Sequence, residues 1–214
     1  MKKVLLFIVA TMFVGSVSAQ DWQKNIFGVR AGVNFSTMGM TGFESVGYRT
    51  SFNAGLSYER MLLKNNPLYL ETGLLYSDKG YNSVDGDETV KLSMSYFQIP
   101  LMINYKFKIG ESFTIYPSAG LYYAFAVAGK EQYIEEVVTQ YDKYNKVWEY
   151  NPFDEDEAEY LMKRSDFGYR FSVSCAWKRV VLSAGYAGSI IGVAKDSVIK
   201  VKGSNIFVSV GYNF

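Results

Sequence analysis

The chain has 214 residues and a formal net charge of +1, contains no histidine, and is 17% aromatic. A charge so close to zero gives no electrostatic basis for binding nucleic acid, and a chain without histidine cannot build a site that depends on imidazole. Cys175 is the only cysteine, so no disulfide can form within the chain. We therefore predict that the protein is not an enzyme and uses no cofactor or metal.

The N-terminus has the pattern of a secretory signal peptide. A positively charged start precedes an apolar run over residues 4–14, and residues 17–19 are small, as at a cleavage site. As a helix this run would be only ~16 Å long, which is too short for a hydrocarbon core of about 30 Å. We expect residues 1–19 to be cleaved on export, which leaves a single domain over residues 20–214.

Eight segments alternate apolar and polar side chains with the two-residue period of a β-strand. In chain order they are residues 26–36, 52–59, 68–79, 96–105, 115–127, 168–177, 180–187 and 205–214. The connections alternate in length, with long loops at 37–50, 80–89, 130–164 and 188–204 and short turns at 63–67, 108–112 and 178–179. Outer-membrane barrels have this alternation because their periplasmic turns are short and their extracellular loops are long. The sequence predicts an all-β fold, an eight-stranded antiparallel up-and-down transmembrane β-barrel.

The two faces of these strands differ in composition, and the apolar face is the one that suits lipid. The polar face is rich in glycine and serine rather than lysine and glutamate, which suits a narrow barrel interior. Aromatic residues of the apolar face form a lower belt (Phe27, Tyr58, Tyr105, Trp177, Tyr212, Phe214) and an upper belt (Phe35, Phe52, Tyr76, Phe125, Tyr169, Tyr186). The belts are ~21 Å apart on strands tilted by about 40°, close to the apolar band of such barrels. We expect the protein in the bacterial outer membrane; a soluble, lipocalin-like lipid-binding barrel is the disfavoured alternative.

Two details of the strands bear on how the barrel closes. The last predicted strand places Tyr212 and Phe214 on the lipid side, and we expect it to pair with the first strand. Pro100 and Pro117 fall within the fourth and fifth strands. Because proline has no N–H to donate, we expect a bulge or a missing ladder bond at each of them.

The stretches LYLETGLLYSDKG (68–80), YFQIPL (96–101) and VGYNF (210–214) are motifs shared with a known family. In these motifs the chain resembles the PorT-like outer-membrane β-barrel proteins of the Bacteroidetes. The resemblance covers essentially the whole mature chain and implies an eight-stranded barrel in the outer membrane. One member of that family is implicated in protein secretion, so the resemblance also leaves open a role as an accessory component of a secretion system.

Charged residues on the polar face of the strands form a candidate site in the barrel interior. The inward-pointing set is Arg30, Glu59, Glu71, Lys79 and Arg170. Arg30, Glu59 and Glu71 lie on adjacent strands toward the periplasmic end, where they could form a cluster. One interpretation is an ion-paired plug that neutralises buried charge and fixes the strand register. The other is a gate whose rearrangement opens a narrow pore.

The longest loop, 130–164, contains a second candidate site. It combines aromatic and acidic residues, among them Tyr144, Trp148, Tyr150, Phe153, Asp154, Glu155, Asp156 and Glu157. A proline followed by acids is a helix-start pattern, so we expect a short helix over residues 153–163. The segment is interpreted either as a solvated loop or as a partner-binding surface.

Two functions remain open from the sequence. The first is a non-enzymatic structural or partner-binding protein that acts through its extracellular loops. The second is a narrow channel or an accessory component of a secretion system. We expect contact with outer-membrane lipid, an unknown protein or envelope partner at loop 130–164, no nucleic acid, and a monomeric state.

Overall fold

The computed structural model describes residues 23–40, 47–64, 66–86, 88–138, 143–154, 161–194 and 201–214. The expected signal peptide and residues Glu155, Asp156 and Glu157 lie outside these ranges. Ten strands are present: β1 (Asn25–Met40), β2 (Gly47–Met61), β3 (Leu68–Asp85), β4 (Glu88–Tyr105), β5 (Phe107–Ile109), β6 (Phe113–Val138), β7 (Lys143–Tyr150), β8 (Ser165–Trp177), β9 (Val180–Ser189) and β10 (Val201–Asn213). The described residues contain no helix long and apolar enough to span a membrane.

Eight of the ten strands form a closed antiparallel ring. The ring order is β1, β2, β3, β4, β6, β8, β9 and β10, and it closes where β10 pairs with β1 from Asn213 opposite Gly28 to Val201 opposite Met40. The short β5 continues the line of β4, and β7 pairs with β6 outside the ring. The predicted eight-stranded barrel and the pairing of its last strand with its first are therefore confirmed.

The pleat directs apolar side chains outward along the whole ring. Phe27 and Leu56, for example, are 59% and 62% exposed, whereas Asn34 and Ser57, which lie on the opposite face of the same strands, are buried. Aromatic rings make contacts near both ends of the strands, as in the pairs Phe27–Tyr58, Tyr212–Phe214, Phe52–Tyr76 and Tyr169–Tyr186. This polarity is the reverse of a soluble lipid-binding barrel, whose apolar face points inward.

The ladder is interrupted at both prolines, as the sequence predicts. At Pro100, the pairing of β4 with β3 skips two positions and resumes in the same register. At Pro117, the pairing of β6 stops with the end of β4 and resumes with β5, again in the same register. Lys106, which separates β4 from β5, donates its backbone N–H to the carbonyl oxygen of Pro67 at 2.9 Å. The missing proline N–H groups therefore remove ladder pairs without shifting the strands.

Two of the predicted long loops contain long stretches of strand, which corrects the sequence-based boundaries. β3 and β4 extend through most of 80–89, and β6 and β7 form a hairpin within 130–164. These segments are rich in β-branched residues that favour strands: Val84, Thr89, Val90, Ile134, Val137 and Val147. We name the resulting four-stranded projection, residues 80–85, 88–93, 130–138 and 143–150, the loop-end sheet.

The predicted helix over residues 153–163 is wrong at both of its described ends. Phe153 lies in a turn, and Met162 forms an isolated antiparallel bridge with Ala194. Lys163 donates its backbone N–H to the carbonyl oxygen of Val193 at 2.7 Å. Backbone pairing across the barrel mouth has replaced helical hydrogen bonds here; residues 155–160 lie outside the described residues.

The interior of the barrel contains a substantial apolar core at its loop end. The buried cluster consists of Met38, Tyr81, Leu92, Met94, Tyr96, Tyr122, Ala124, Ala126, Met162, Ala187, Val193, Ala194 and Val201. The sequence predicted an interior of small and polar groups, and this holds only for the middle of the barrel. The difference arises because the segments around Met162 and Val193 fold over the mouth of the barrel and shield the apolar side chains there from water.

Candidate functional sites in the barrel interior and the loop-end sheet

The turn-end half of the interior contains a network of buried charges around Glu59. The Glu59 side chain is 1% exposed, and its carboxylate contacts Lys106 Nζ at 2.5 Å and Arg30 Nη2 at 3.7 Å. Glu71 lies directly opposite Glu59 on β3, and Asn104 Nδ2 donates hydrogen bonds to both carboxylates, at 2.6 Å to Glu71 and 3.4 Å to Glu59. Antiparallel pairing of β2 and β3 thus places two carboxylates side by side, and cations and an amide compensate them.

A second buried ion pair lies nearer the loop end. Lys79 Nζ is 3.5 Å from Asp166 Oδ2, and the Tyr122 hydroxyl donates to the same oxygen at 2.9 Å. The ammonium also lies over the rings of Tyr122 and Tyr96, at 4.6 Å and 5.3 Å from their centroids. Aromatic faces attract a cation, so Lys79 is stabilised by both charge and ring contacts.

The five charged residues predicted for the interior are all found there, but they do not form one cluster. Arg30, Glu59 and Glu71 belong to the turn-end network, Lys79 belongs to the second pair, and Arg170 stacks its guanidinium 3.5 Å from the ring centroid of Phe207. Sequence reasoning placed each residue on the correct face but left their partners undetermined.

Three partners in these networks were missed by the sequence analysis. Asn104 lies on the inward face of β4, and Lys106 lies on the same face just beyond the end of that strand. Asp166 lies on the inward face of β8 together with Arg170. The signal was available for Lys106 and Asp166, because both continue the two-residue alternation just beyond the predicted strand ends. Asn104 falls on the polar face of the fourth predicted strand, but nothing in the local pattern marks it as the bridge between the two carboxylates.

Little empty space remains between the two charged layers. A cavity of about 40 Å³ lies among Arg30, Glu71, Arg170 and Phe207, enough for one or two water molecules. The apolar core described above fills the next level toward the loop end. The arrangement favours a plug over a conduit, because no wide path continues through these layers of the described interior.

The loop-end sheet presents aromatic side chains on an exposed strand. Tyr144, Trp148 and Tyr150 occupy one face of β7, and the first two are 45% and 42% exposed. Tyr150 is half-buried, with its ring centroid 5.7 Å from that of Tyr133. Together with Glu88 and Glu135, the aromatic residues Tyr133, Trp148 and Tyr150 line a cleft of about 310 Å³.

Phe153 and Asp154 differ in position from the other predicted loop residues. The Phe153 ring packs against the apolar core of the mouth, and the Arg164 guanidinium lies 4.5 Å from its centroid. Asp154 is half-buried in the turn that follows β7, and its backbone N–H donates to the carbonyl oxygen of Asn151 at 3.1 Å. Phe153 is therefore part of the cap over the barrel, which removes it from the exposed recognition surface.

The opposite face of β7 is polar and is tied to β6. Glu149 accepts hydrogen bonds from Lys130 and Gln132, each at 2.7 Å. These hydrogen bonds hold the pKa of the Glu149 carboxyl below its usual value, and the hydrogen bond from Lys130 has the largest effect. Among the described strands, β7 pairs with β6 alone, so its other edge has no described strand to pair with.

Comparison with known proteins decides the family. A family model described as "Outer membrane protein beta-barrel domain" matches residues 18–193. The chain belongs to this family. Membership in this family indicates that the protein is located in the bacterial outer membrane. The outward-facing apolar side chains of the ring agree with this location. No curated protein sequence matches the chain.

Several solved structures are similar in fold at low sequence identity. The attachment invasion locus protein Ail of Yersinia pestis is 12% identical, with 90% of this chain and 100% of Ail covered and a TM-score of 0.49. Neisserial surface protein A is 15% identical, with coverages of 88% and 97% and a TM-score of 0.46. The N-terminal barrel domain of Pseudomonas aeruginosa OprF is 12% identical, with coverages of 90% and 98% and a TM-score of 0.39.

The end of β10 occupies the lower aromatic belt. Tyr212 and Phe214 are exposed, and their ring centroids are 5.6 Å apart. The backbone N–H of Phe214 donates to the carbonyl oxygen of Phe27 at 2.8 Å, which extends the β1–β10 pairing by one further bond. Outer-membrane barrels in general carry aromatic girdles at the two membrane interfaces.

Proposed function

We propose that this outer-membrane barrel is a non-enzymatic protein that binds a partner through its loop-end sheet. The observation that carries the proposal is the exposure of aromatic residues on β7, which pairs with only one of the described strands. Trp148 and Tyr144 stand out from β7, and the cleft beside Trp148 has two carboxylates at its border. Exposed tryptophan and tyrosine are the residue types that dominate binding energy in protein interfaces.

The interior supports a structural role for the buried charges. Glu59 and Glu71 are held by Lys106, Arg30 and Asn104, and the space between the charged layers is about 40 Å³. We propose that these groups form a plug that fixes the register of the strands, in preference to a gate for a narrow channel.

Loss of binding on truncation of the aromatic residues tests the proposal. Tagged protein would be purified from detergent-solubilised outer membrane together with its bound components. We expect Trp148→Ala combined with Tyr144→Ala to reduce recovery of a specific component about tenfold or more. Tyr48→Ala removes an even more exposed tyrosine from β2 at the same end of the barrel and should leave recovery unchanged. Equal recovery with all three proteins would refute the proposal.

The PorT-like resemblance suggests one class of partner. We propose that, if the bound component belongs to a secretion apparatus, the protein is an accessory of that apparatus rather than its conduit, because its own interior is filled. Deletion of the gene would then impair secretion, and the Trp148→Ala, Tyr144→Ala double variant would fail to restore it. Normal secretion in the deletion strain would exclude this role and leave the partner-binding proposal intact.

Export with cleavage after Ala19 completes the proposal. Mass spectrometry of the protein purified from the outer membrane measures the mature N-terminus directly. We expect a mass that corresponds to residues 20–214.

A further inference from the structure

The turn end of the barrel contains a cavity with a strongly basic lining. Its volume is about 250 Å³, and four of its lining residues, Lys106, Lys108, Lys178 and Arg179, are cationic. No aspartate or glutamate is among the described residues that line it. This composition differs from the loop-end cleft, which has glutamates beside its aromatic rings. The two ends of the barrel therefore favour ligands of different charge.

The deep wall of the cavity carries Lys106. Its ammonium lies 4.4 Å from the ring centroid of Tyr69 and 4.9 Å from that of Tyr116, and it also contacts Glu59. Glu59 has a second cationic neighbour in Arg30, and Glu71 lies directly opposite Glu59 on β3. Carboxylates within the barrel therefore face this wall, and the cations closer to the opening set the positive potential of the cavity.

The remaining cations lie closer to the opening. Lys108 follows Lys106 on the same inward face, two residues along the chain, and is half-buried. Lys178 and Arg179 form the exposed two-residue turn between β8 and β9. Neither of these two turn residues makes an ion pair with a described residue; Lys178 lies over the Trp177 ring and Arg179 donates to the Tyr212 hydroxyl.

The backbone of the β8–β9 turn has a feature that fits a role for this charge. Lys178 has a φ of 54°, and no other non-glycine residue in the described part of the chain has a positive φ. Two-residue hairpin turns of this kind favour asparagine or glycine, which adopt such angles at lower cost. A lysine here places an ammonium at the rim of the cavity at a position where local structure alone would select another residue.

The surroundings of the opening reinforce the positive potential. Three cationic residues are exposed at the same end of the barrel: Lys24, Arg60 and Lys64. The neighbouring β5–β6 turn contributes one exposed acidic residue, Glu111. A concave site surrounded by charges of one sign concentrates counter-ions and strengthens their binding. The turn end thus attracts anions over a wider area than the cavity itself.

We propose that the turn-end cavity binds the phosphate group of an organic phosphate ester that enters from the periplasmic side. Lysine and arginine side chains donate charge-assisted hydrogen bonds to phosphate oxygens, which are among the stronger polar contacts in proteins. Ile26 and Ala176 supply an apolar part of the wall, which suits the organic portion of an ester better than a bare ion. The ester is either the headgroup of a lipid in the periplasmic leaflet or a soluble metabolite.

The binding measurement uses full-length protein, folded in a nonionic detergent, and glycerol 3-phosphate as the probe. Phosphorus NMR of the probe would follow saturable binding at constant ionic strength, set with sodium chloride. We expect the combined Lys108→Gln and Lys178→Gln variant to weaken binding about tenfold or more, because each lost contact is a hydrogen bond between charged groups. The matched control, Arg60→Gln with Lys64→Gln, removes two cations from the same end outside the cavity and should bind within about twofold of wild type.

A second measurement distinguishes the two sources of the phosphate. Delipidated protein would be mixed with equal amounts of phosphatidylglycerol and phosphatidylcholine, and retained lipid would be counted by native mass spectrometry. If wild-type protein retains phosphatidylglycerol and the Lys108, Lys178 double variant does not, the ligand is a lipid headgroup. If the protein binds glycerol 3-phosphate saturably but retains no lipid, the ligand is a soluble ester. Absence of both, or equal binding by the double variant and the control pair, overturns the proposal.

Discussion

At the scale of single residues, the central feature of the protein is a carboxylate shared by two cations inside a closed barrel. Glu59 is almost completely buried, and its two oxygens face Lys106 and Arg30. Its cross-strand neighbour Glu71 accepts a hydrogen bond from Asn104. Removing one member of such a group leaves a buried charge without its counter-charge, which costs far more than the loss of an exposed ion pair.

Substitution of Glu59 tests this argument. We expect Glu59→Gln to lower the free energy of unfolding by about 3 kcal/mol, because Lys106 remains buried while its carboxylate is gone. Urea titration of protein folded into phospholipid vesicles measures the change. Glu149→Gln is the matched control, since Glu149 also pairs with a lysine, Lys130, but at the exposed surface. Similar losses in both variants would show that burial does not set the strength of the pair.

At the scale of elements, the closure of the ring depends on the close approach of β1 and β10. Gly32 lies opposite Ser209, and a Cβ on Gly32 would overlap the carbonyl oxygen of Val208 and the Ser209 side chain. Gly39 lies on the same strand, but a Cβ there would have no neighbour within 4 Å. β1 thus requires glycine at Gly32, on its inward face, and tolerates a side chain at the exposed Gly39.

The two glycines provide a matched pair of substitutions. We expect Gly32→Ala to lower the free energy of unfolding by about 1–3 kcal/mol, because the added methyl group must displace backbone at the β1–β10 seam. Gly39→Ala should leave stability unchanged or slightly raised, since alanine restricts the unfolded chain. The same urea titration compares the variants. A larger loss with Gly39→Ala than with Gly32→Ala would contradict the close approach at the seam.

The loop-end sheet depends on a further element-scale feature, a bulge in β6. Ser95 pairs with Ala128 and Tyr96 pairs with Ala126, so Val127 is an extra residue. Beyond the bulge, the side-chain alternation of β6 is reversed relative to its transmembrane part. Glu131 and Tyr133 therefore lie on the face that continues the barrel interior, and this places Tyr133 beside Trp148 in the loop-end cleft.

At the scale of the whole molecule, the barrel is closed by side chains at three levels. The network around Glu59, the Lys79–Asp166 pair and the apolar core at the mouth succeed one another along the axis. Backbone hydrogen bonds, such as that from Ala126 to Arg164 at 2.6 Å, tie the covering segments to the strands. We therefore propose that binding takes place on the outward surfaces at the two ends of the barrel.

The filled interior predicts electrical silence. We expect wild-type protein to produce no stepwise conductance in planar lipid bilayers, and Glu71→Ala to remain silent as well, because the apolar core still blocks the path. A known porin, reconstituted in the same bilayers, verifies that channels are detectable. Steps in wild type that change in amplitude with Glu71→Ala would instead support a gate at the charged network.

The sequence by itself determined the strands, the polarity of the barrel and the inward position of the five charged residues. It could do so because the two-residue period depends only on which side chains follow one another, and lipid and interior select opposite residue types. The resemblance to outer-membrane proteins agrees with the family to which the chain belongs.

Tertiary structure alone decided how far the strands extend, which charges meet, and what covers the mouth. Lys106 and Asp166 acquire their partners from strands distant in sequence, Val127 reverses the side-chain alternation of β6, and the segment after β7 pairs with residues near Val193 in place of the expected helix. Each of these outcomes depends on contacts between different segments of the folded barrel. Local patterning cannot encode such contacts, because their free energy comes from burial and pairing between segments that are remote along the chain.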